Sequence, residues 1–426
     1  MSKKKDEFAG YTRYTARSAV SPVLQTTLDK RFIFIYIYIS QYLVLWRCTL
    51  SSESLALAAP LFTPLSFGGI TLRNRIAMAP MTRNQSPDGV PGDDVCAYYR
   101  SRAAGGVGLI ITEGTYIGHP GANGYARVPA FHGAAALEGW GKVVAAVHAE
   151  GGAIIPQLWH VGSARRAGVE PDADVPGFGP MAIEEDGLPV VRAMSQSDID
   201  DVVAAFAQAA RDAQRLGFDG VELHGAHGYV IDQFLWAESN QRDDAYGGTP
   251  EKRLRFALEI VRAVRAAVGP GFPIVFRFSQ WKLGDYDARI AETPEALGAI
   301  LKPLAAAGVD VFHASTRRIG DPAFAGSPKT LAAWTRELTG CPVIAVGSVG
   351  LDTTFRTGHF TRSEAPDAKS RVDLAQLVER FEAGDFDMVA VGRALLSDPQ
   401  WAAKVRDGRL DELRNFDVQA LDTLVR

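Results

Sequence analysis

The chain has 426 residues, 47% apolar and 22% charged, with a formal net charge of −4. This is the composition of a soluble globular protein large enough for one big α/β domain or two ordinary ones, and it gives no electrostatic case for a nucleic-acid partner. Three scattered cysteines, Cys48, Cys96 and Cys341, exclude a zinc cluster, an iron–sulfur domain and a disulfide framework, and they suit a reducing, cytoplasmic setting.

Residues 1–59 read differently from the rest. Ser2-Lys3-Lys4-Lys5 opens a polar leader, and Phe32–Trp46 is almost wholly apolar. Its fifteen residues fall short of the about twenty that span a bilayer. The leader is long for a secretory n-region, and no small-x-small cleavage site follows Trp46 directly. Three readings stay open for this extension: a targeting or anchor segment, a disordered tail, or translated upstream sequence. Any membrane contact would run through residues 32–46.

From residue 60 to 426 the pattern becomes regular. Apolar, β-rich runs occur at Arg75–Ala79, Gly108–Thr112, Ala153–Trp159, Gly220–His224, Pro273–Phe278, Val309–Ala314, Pro342–Val346 and Asp387–Val391. Helical periodicity fills the intervals. In Ser197–Leu216 one face is built from Ile199, Val202, Val203, Phe206, Ala209, Ala210 and Ala213, with Ser197-x-x-Asp200 as an N-terminal cap. Pro250–Val268 behaves likewise and stops at Gly269-Pro270. Near-continuous apolar strands alternating with single helices predict a parallel sheet, and eight such units predict a closed (β/α)8 TIM barrel. A doubly wound fold would want a Gly-rich turn after its first strand, where this chain has Pro80-Met81-Thr82-Arg83.

Catalytic barrels place polar residues just beyond the C-terminal ends of their strands. Here those ends carry Thr82, Gly114, Gln157, the trio His224, His227 and Tyr229, then Arg277, Gly347-Ser348 and Gly392-Arg393. Strand alternation puts Glu222 and His224 on one face and Val221 and Leu223 on the other. Two imidazoles and a phenol within six residues form a compact set of donors, although a pair of satisfied structural histidines is the plainer alternative. The glycines after strands seven and eight lie where such barrels hold phosphate, with Arg393 as a bidentate partner. The plain alternative there is two tight turns and a solvated arginine.

These residues resemble the old yellow enzyme family of FMN-dependent ene-reductases, the NADH:flavin oxidoreductases. The likeness runs from Leu61-Phe62-Thr63-Pro64-Leu65 to about Trp401. It is carried by Asn74-Arg75-Ile76, Ala79-Pro80-Met81-Thr82-Arg83, Ile111-Thr112-Glu113-Gly114, Gln157-Leu158-Trp159, His224-x-x-His227-x-Tyr229, Asp243–Gly248 and Val391-Gly392-Arg393. The resemblance implies that Pro80, Thr82, Gly114 and Gln157 line the flavin ring, with Arg277 at its N1/O2 edge. It implies that Gly347, Ser348, Gly392 and Arg393 hold the FMN phosphate. His224 and His227 would bind the oxygen of a small activated alkene (an enone, enal or nitroalkene), Tyr229 would donate the proton, and Trp159 would shape the pocket. NAD(P)H would be the reductant.

The chain departs from parts of that family. Thr82 stands where the thermophile-type subgroup has cysteine, His227 stands where yeast-type members have asparagine, and no tyrosine follows Tyr286. Two other functions remain in view. A barrel lyase or aldolase acting on a phosphorylated substrate would need a Schiff-base lysine or metal carboxylates, and Lys282 lies outside any such motif. A membrane-tethered flavin-binding protein is motivated only by Phe32–Trp46. The natural alkene, the choice of NADH or NADPH and homo-oligomer formation are not encoded legibly.

Overall fold

A computed structural model describes residues 57–354, 368–369 and 374–426. The apolar run Phe32–Trp46 lies outside the described residues. Among those described, no helix is long and apolar enough to cross a membrane.

Every predicted strand is present, and the eight close on themselves. In chain order they are β1 (Ile76–Met78), β2 (Leu109–Tyr116), β3 (Ala153–Trp159), β4 (Val221–His227), β5 (Ile274–Lys282), β6 (Val311–Ser315), β7 (Val343–Val346) and β8 (Met388–Val391). Each pairs in parallel with its sequence neighbours, and β8 pairs with β1. This is a TIM barrel, not a doubly wound sheet.

The period-two alternation of each strand sorts the core into two parts. Outward residues such as Val221 and Leu223 join the large cluster shared with the surrounding helices. Inward residues near the strand starts, among them Leu109, Val275, Val311, Ile344 and Met388, form a smaller cluster inside the barrel. Leu72, from the antiparallel pair Leu65–Phe67 and Ile70–Leu72, is buried in that inner cluster and plugs the N-terminal mouth. One level higher the inward residues turn polar: Gln157, Glu222, Arg277 and His313 are all buried. With the plug below and the charged layer above, the described residues leave the C-terminal mouth for a ligand.

Helices α1 (Asp93–Ala104), α2 (Ala134–Ala149), α3 (Gln196–Leu216), α4 (Pro250–Val268), α5 (Pro294–Ala307), α6 (Leu331–Thr339) and α7 (Leu374–Glu382) occupy the intervals between strands. Helix α4 matches its predicted limits, with Thr249 as the cap. Helix α3 corrects a detail. Its cap is Ser195, whose side chain accepts from Asp198 N while the Asp198 carboxylate takes the Ser195 N–H. The same S-x-x-D spacing occurs twice here, and the earlier copy wins because it closes a reciprocal capping box. Between β3 and α3 lies a three-stranded excursion, Gly177–Gly179, Ile183–Glu185 and Leu188–Ala193. At the other end, Ala58 is fully buried and a short 3-10 turn covers Ala59–Phe62.

Candidate active site

The floor of the site is a charged layer at mid-barrel. Glu222 is fully buried, and its two carboxylate oxygens accept from Gln157 Nε2 at 2.8 Å and from His313 Nδ1 at 2.7 Å. Burial holds the His313 imidazole below its ordinary pKa, with Glu222 pulling the other way. Arg277 is the only cation facing this layer from β5; burial lowers its pKa and the nearby Glu222 opposes that. Its Nη2 donates to Ser315 Oγ at 3.3 Å, while its Nε has no partner.

Above the floor stand the residues of β4 and the turn beyond it. The His224 ring centroid is 5.1 Å from that of His227 and 5.1 Å from that of Tyr229. Alternation brings His224 inward, but His227 would then face outward were the strand to continue. A turn prevents this: His227 adopts φ +66° and Gly228 φ +81°. His227 Nε2 lies 2.8 Å from Ser315 Oγ, and its ring stacks on Trp281 with centroids 4.3 Å apart. Burial, together with the positive charge of Arg277, holds both histidines well below the usual imidazole pKa, so they are neutral at physiological pH. Burial also raises Tyr229 well above the ordinary phenol value, helped by Tyr125, whose Oη lies 3.1 Å away. Trp159 stacks on Tyr125 (5.5 Å) and meets the Tyr229 ring edge-on at 4.8 Å.

The ends of β7 and β8 build the opposite wall. Gly347 admits no side chain, since a Cβ there would fall 2.5 Å from Thr316 Oγ1 and 2.6 Å from Ile319 N. Ser348 has φ +50° and donates from Oγ to Arg317 O at 2.9 Å. Arg393 donates from Nη2 to Thr353 O, while its buried Nη1 has no partner. Burial, then the adjacent positive charge of Arg317, pulls the Arg393 pKa down to about 10. It is still a cation at neutral pH. Both guanidiniums line the cleft, and the unpartnered Arg393 Nη1 suits an anion.

These walls enclose a cleft of about 1240 Å³, part of it open to solvent. Pro80, Thr82, Gln157, Trp159, His224, His227, Tyr229, Arg277, Gly347, Ser348, Gly392 and Arg393 all line it. Gly114, expected beside them, does not. A bulge between Ile111 and Gly114 re-aims β2 at this point, and a Cβ on Gly114 would fall 2.5 Å from a ring carbon of Trp159. Gly114 therefore makes room for Trp159. The cleft also gathers residues that the sequence reading missed. Trp281, Ser315, Thr316 and Arg317 line it, as do Phe416 and Leu421 from the C-terminal segment. Ser315-Thr316-Arg317 ends β6 with the polar signature used at other strand ends, so it was findable. Phe416 and Leu421 had no local signal. Arg83 holds the stretch around Leu421, donating from Nη2 to Ala420 O at 2.5 Å and to Thr423 O at 2.8 Å, while the Phe416 backbone pairs with Ala368.

The residues present fit a flavin mononucleotide. The unpartnered Arg393 Nη1 and the side-chain-free Gly347 suit an anionic terminus. The unpartnered Arg277 Nε, with the Gln157 amide turned so that its carbonyl oxygen is unspent, suits a polar ring edge with both acceptors and donors.

Comparison with known proteins agrees. The family model for the NADH:flavin oxidoreductase / NADH oxidase family matches residues 60–359. The chain is 33% identical to 12-oxophytodienoate reductase 7 of Oryza sativa subsp. japonica over 82% of this chain and 88% of that one. It is 36% identical to chanoclavine-I aldehyde reductase of Penicillium roqueforti over 82% of this chain and 89% of that one. Against the NADH oxidase of Thermoanaerobacter brockii the identity is 33% over 83% of this chain, which spans about half (52%) of that longer protein. Among solved structures, morphinone reductase in complex with tetrahydroNAD superposes with a TM-score of 0.70 at 32% identity, covering 85% of this chain and 93% of that one. With fold, cleft chemistry and relatives in agreement, the chain belongs to the NADH:flavin oxidoreductase / NADH oxidase family, the old yellow enzymes, and is an oxidoreductase that uses FMN with NAD(P)H as reductant.

Proposed function

We propose that this enzyme reduces the C=C bond of small activated alkenes such as enones, enals and nitroalkenes. The observation that carries the reading is the convergence of His224, His227 and Tyr229 on one side of a cleft whose floor holds Gln157 and Arg277. FMN held here would supply the hydride-transfer chemistry that links NAD(P)H to the β-carbon of the alkene. Gln157 and Arg277 would hold its ring, and Gly347, Ser348, Gly392 and Arg393 its phosphate. His224 and His227 would receive the substrate oxygen. As neutral imidazoles they offer N–H donors without adding a charge to be neutralised, and they act where negative charge builds during the reaction. One such pre-aimed donor is worth about 3 kcal/mol. Arg277 donates to Ser315 Oγ, which also lies 2.8 Å from His227 Nε2, so the serine hydroxyl links the His227 ring to Arg277. Tyr229, its pKa raised by burial, stays protonated until charge appears beside it, and then gives its proton to the substrate α-carbon. Tyr125 is placed to accept from or donate to that phenol as the proton moves.

The lyase alternative finds no support. Lys282 does not line the cleft, and its ammonium is buried 2.8 Å from Asp232. Cytoplasmic placement belongs to the same proposal, supported by Cys96 and Cys341 being free thiols.

Stopped-flow measurement of the two half-reactions tests the reading, using Tyr229→Phe. Flavin reduction by NAD(P)H, followed by loss of absorbance near about 450 nm, is expected to survive. Enone turnover is expected to slow about 10²–10⁴-fold, while nitroalkenes, whose carbanions take a proton from water, are spared. Unchanged enone turnover, or lost flavin reduction, would remove Tyr229 from its role.

A further inference from the structure

Beside the cleft lies an ion pair that the chemistry above does not use. The Lys282 and Asp232 side chains are 3% and 0% exposed, with Nζ 2.8 Å from Oδ1. Such a pair is a poor source of stability. Well-packed apolar residues of similar volume often serve a fold as well or better, whereas loss of one partner is costly. Some other requirement therefore has to account for two buried charges at this point.

The second carboxylate oxygen supplies one. Asp232 Oδ2 accepts from Gly228 N at 2.6 Å. Asp232 sits three positions into the short helix Val230–Leu235, whose N-cap is Tyr229. In an ordinary capping box a carboxylate at this position serves the N-cap N–H; here it reaches one residue further back, into the turn. That turn is the one that swings His227 and Tyr229 over the cleft, and it puts His227 in the left-handed region that side-chain-bearing residues rarely adopt.

All the other main-chain groups of the turn are also held. His227 N donates to Ser279 Oγ at 3.0 Å, and His227 O accepts from Leu283 N at 3.3 Å. Gly228 O accepts from Gln233 Nε2 at 2.6 Å. Tyr229 N donates to Ala226 O at 3.3 Å, and Tyr229 O accepts from Gln233 N at 2.7 Å. Of these partners only Asp232 is charged. Burial pushes its carboxyl pKa up, and the Lys282 ammonium and the Gly228 N–H pull it back. Lys282 is itself anchored, its N–H donating to Asp285 O at 2.8 Å and its ammonium reaching Ser279 O at 3.4 Å. The pair thus ties the end of β5 to the turn after β4.

We propose that Asp232, paired with Lys282, is a positioning residue that locks the left-handed His227–Gly228 turn and so sets where His227 and Tyr229 stand in the cleft. This rests on the reading of those two residues given above.

Two double variants of the flavin-loaded protein test it. Asp232→Leu with Lys282→Met removes both charges and leaves Gly228 N–H with no acceptor. Asp232→Asn with Lys282→Gln keeps a neutral, weaker acceptor. The probe is 4-chlorophenol, whose phenolate at the substrate-oxygen position gives a charge-transfer band with oxidised flavin. Melting temperature and FMN affinity should stay near wild type in both variants. Phenol affinity, and reoxidation of the flavin by an enone, should fall in the order Asp, Asn, Leu: about 3–10-fold for the Asn/Gln pair and more than about 30-fold for the Leu/Met pair, the second being a loss of about 2 kcal/mol. A folded Leu/Met variant with wild-type phenol affinity overturns the proposal. Should that variant not fold, the Asn/Gln variant decides: a threefold or larger loss supports the lock, and wild-type behaviour refutes it. Absence of a phenol band in the wild type would instead overturn the reading of the site, and the lock with it.

Discussion

The side-chain amide of Gln157 donates from Nε2 to Glu222 Oε1 at 2.8 Å, which leaves its carbonyl oxygen as the group offered to the cleft. A carboxylate can only accept, so Glu222 decides which way that amide faces. The same carboxylate is the countercharge of Arg277 and the acceptor for His313. Glu222→Gln keeps the volume but removes the charge opposite Arg277 and replaces one acceptor oxygen with an NH2 donor, so it can no longer accept from both Gln157 and His313. The apo-protein titrated with FMN should show about tenfold weaker binding, a loss of about 1.4 kcal/mol. An unchanged dissociation constant would mean that the orientation of Gln157 is set by something else.

Gly114 matters through what it lacks. Adding a methyl group at 2.5 Å from the Trp159 ring forces the indole to move. Trp159 stacks on Tyr125 and abuts Tyr229, so the movement reaches the proton donor. Gly114→Ala should destabilise the fold by about 1–3 kcal/mol, as overpacking does, and should weaken phenol binding. A variant with wild-type melting and ligand spectra would show that the indole has slack.

Glu113 makes stability depend on pH. It is fully buried, its Oε2 accepts from Arg83 N at 2.8 Å, and burial raises its pKa to about 7. The folded protein therefore holds this proton more tightly than the unfolded chain. The resulting stabilisation is full below the ordinary carboxylate pKa and is lost as pH rises to about 7. Glu113→Gln keeps an acceptor for Arg83 N but cannot titrate. Between about pH 5 and 8, wild type should lose up to roughly 3 kcal/mol relative to this variant. Denaturant midpoints with parallel pH profiles would refute it.

The extension is predicted to be dispensable up to a sharp limit. A protein starting at residue 57 keeps the buried Ala58 and Leu61, and it should fold and load FMN with a melting temperature within about 2 °C of the full chain. Starting instead at Phe62 removes the Leu61 side chain and the carbonyl that accepts from Arg75 N at 2.8 Å. That truncation should cost about 2–5 kcal/mol. Failure of the first protein to load FMN would make residues 1–56 part of the functional fold.

What could be read from the sequence was set by local rules. Alternation along Val221–His227 placed Glu222 and His224 inward because successive side chains of a strand must point to opposite faces. Eight such runs with single helices between them left a parallel barrel as the economical closure, and polar residues at strand ends then marked one mouth. The tertiary structure decided whatever depends on two segments meeting. Gly114 left the cleft wall because β2 bulges against β3, a property of their register and not of either run alone. His227 entered the cleft, against its own alternation, because contacts from Ser279, Leu283, Asp232 and Gln233 hold a left-handed turn. Leu421 became part of the site because Arg83, more than three hundred residues earlier, holds the carbonyls on either side of it, and Phe416 because its backbone pairs with Ala368. A periodicity is carried by neighbours in the chain and can be read from them; a register, a strained turn and a long-range clamp exist only once distant segments share their hydrogen bonds.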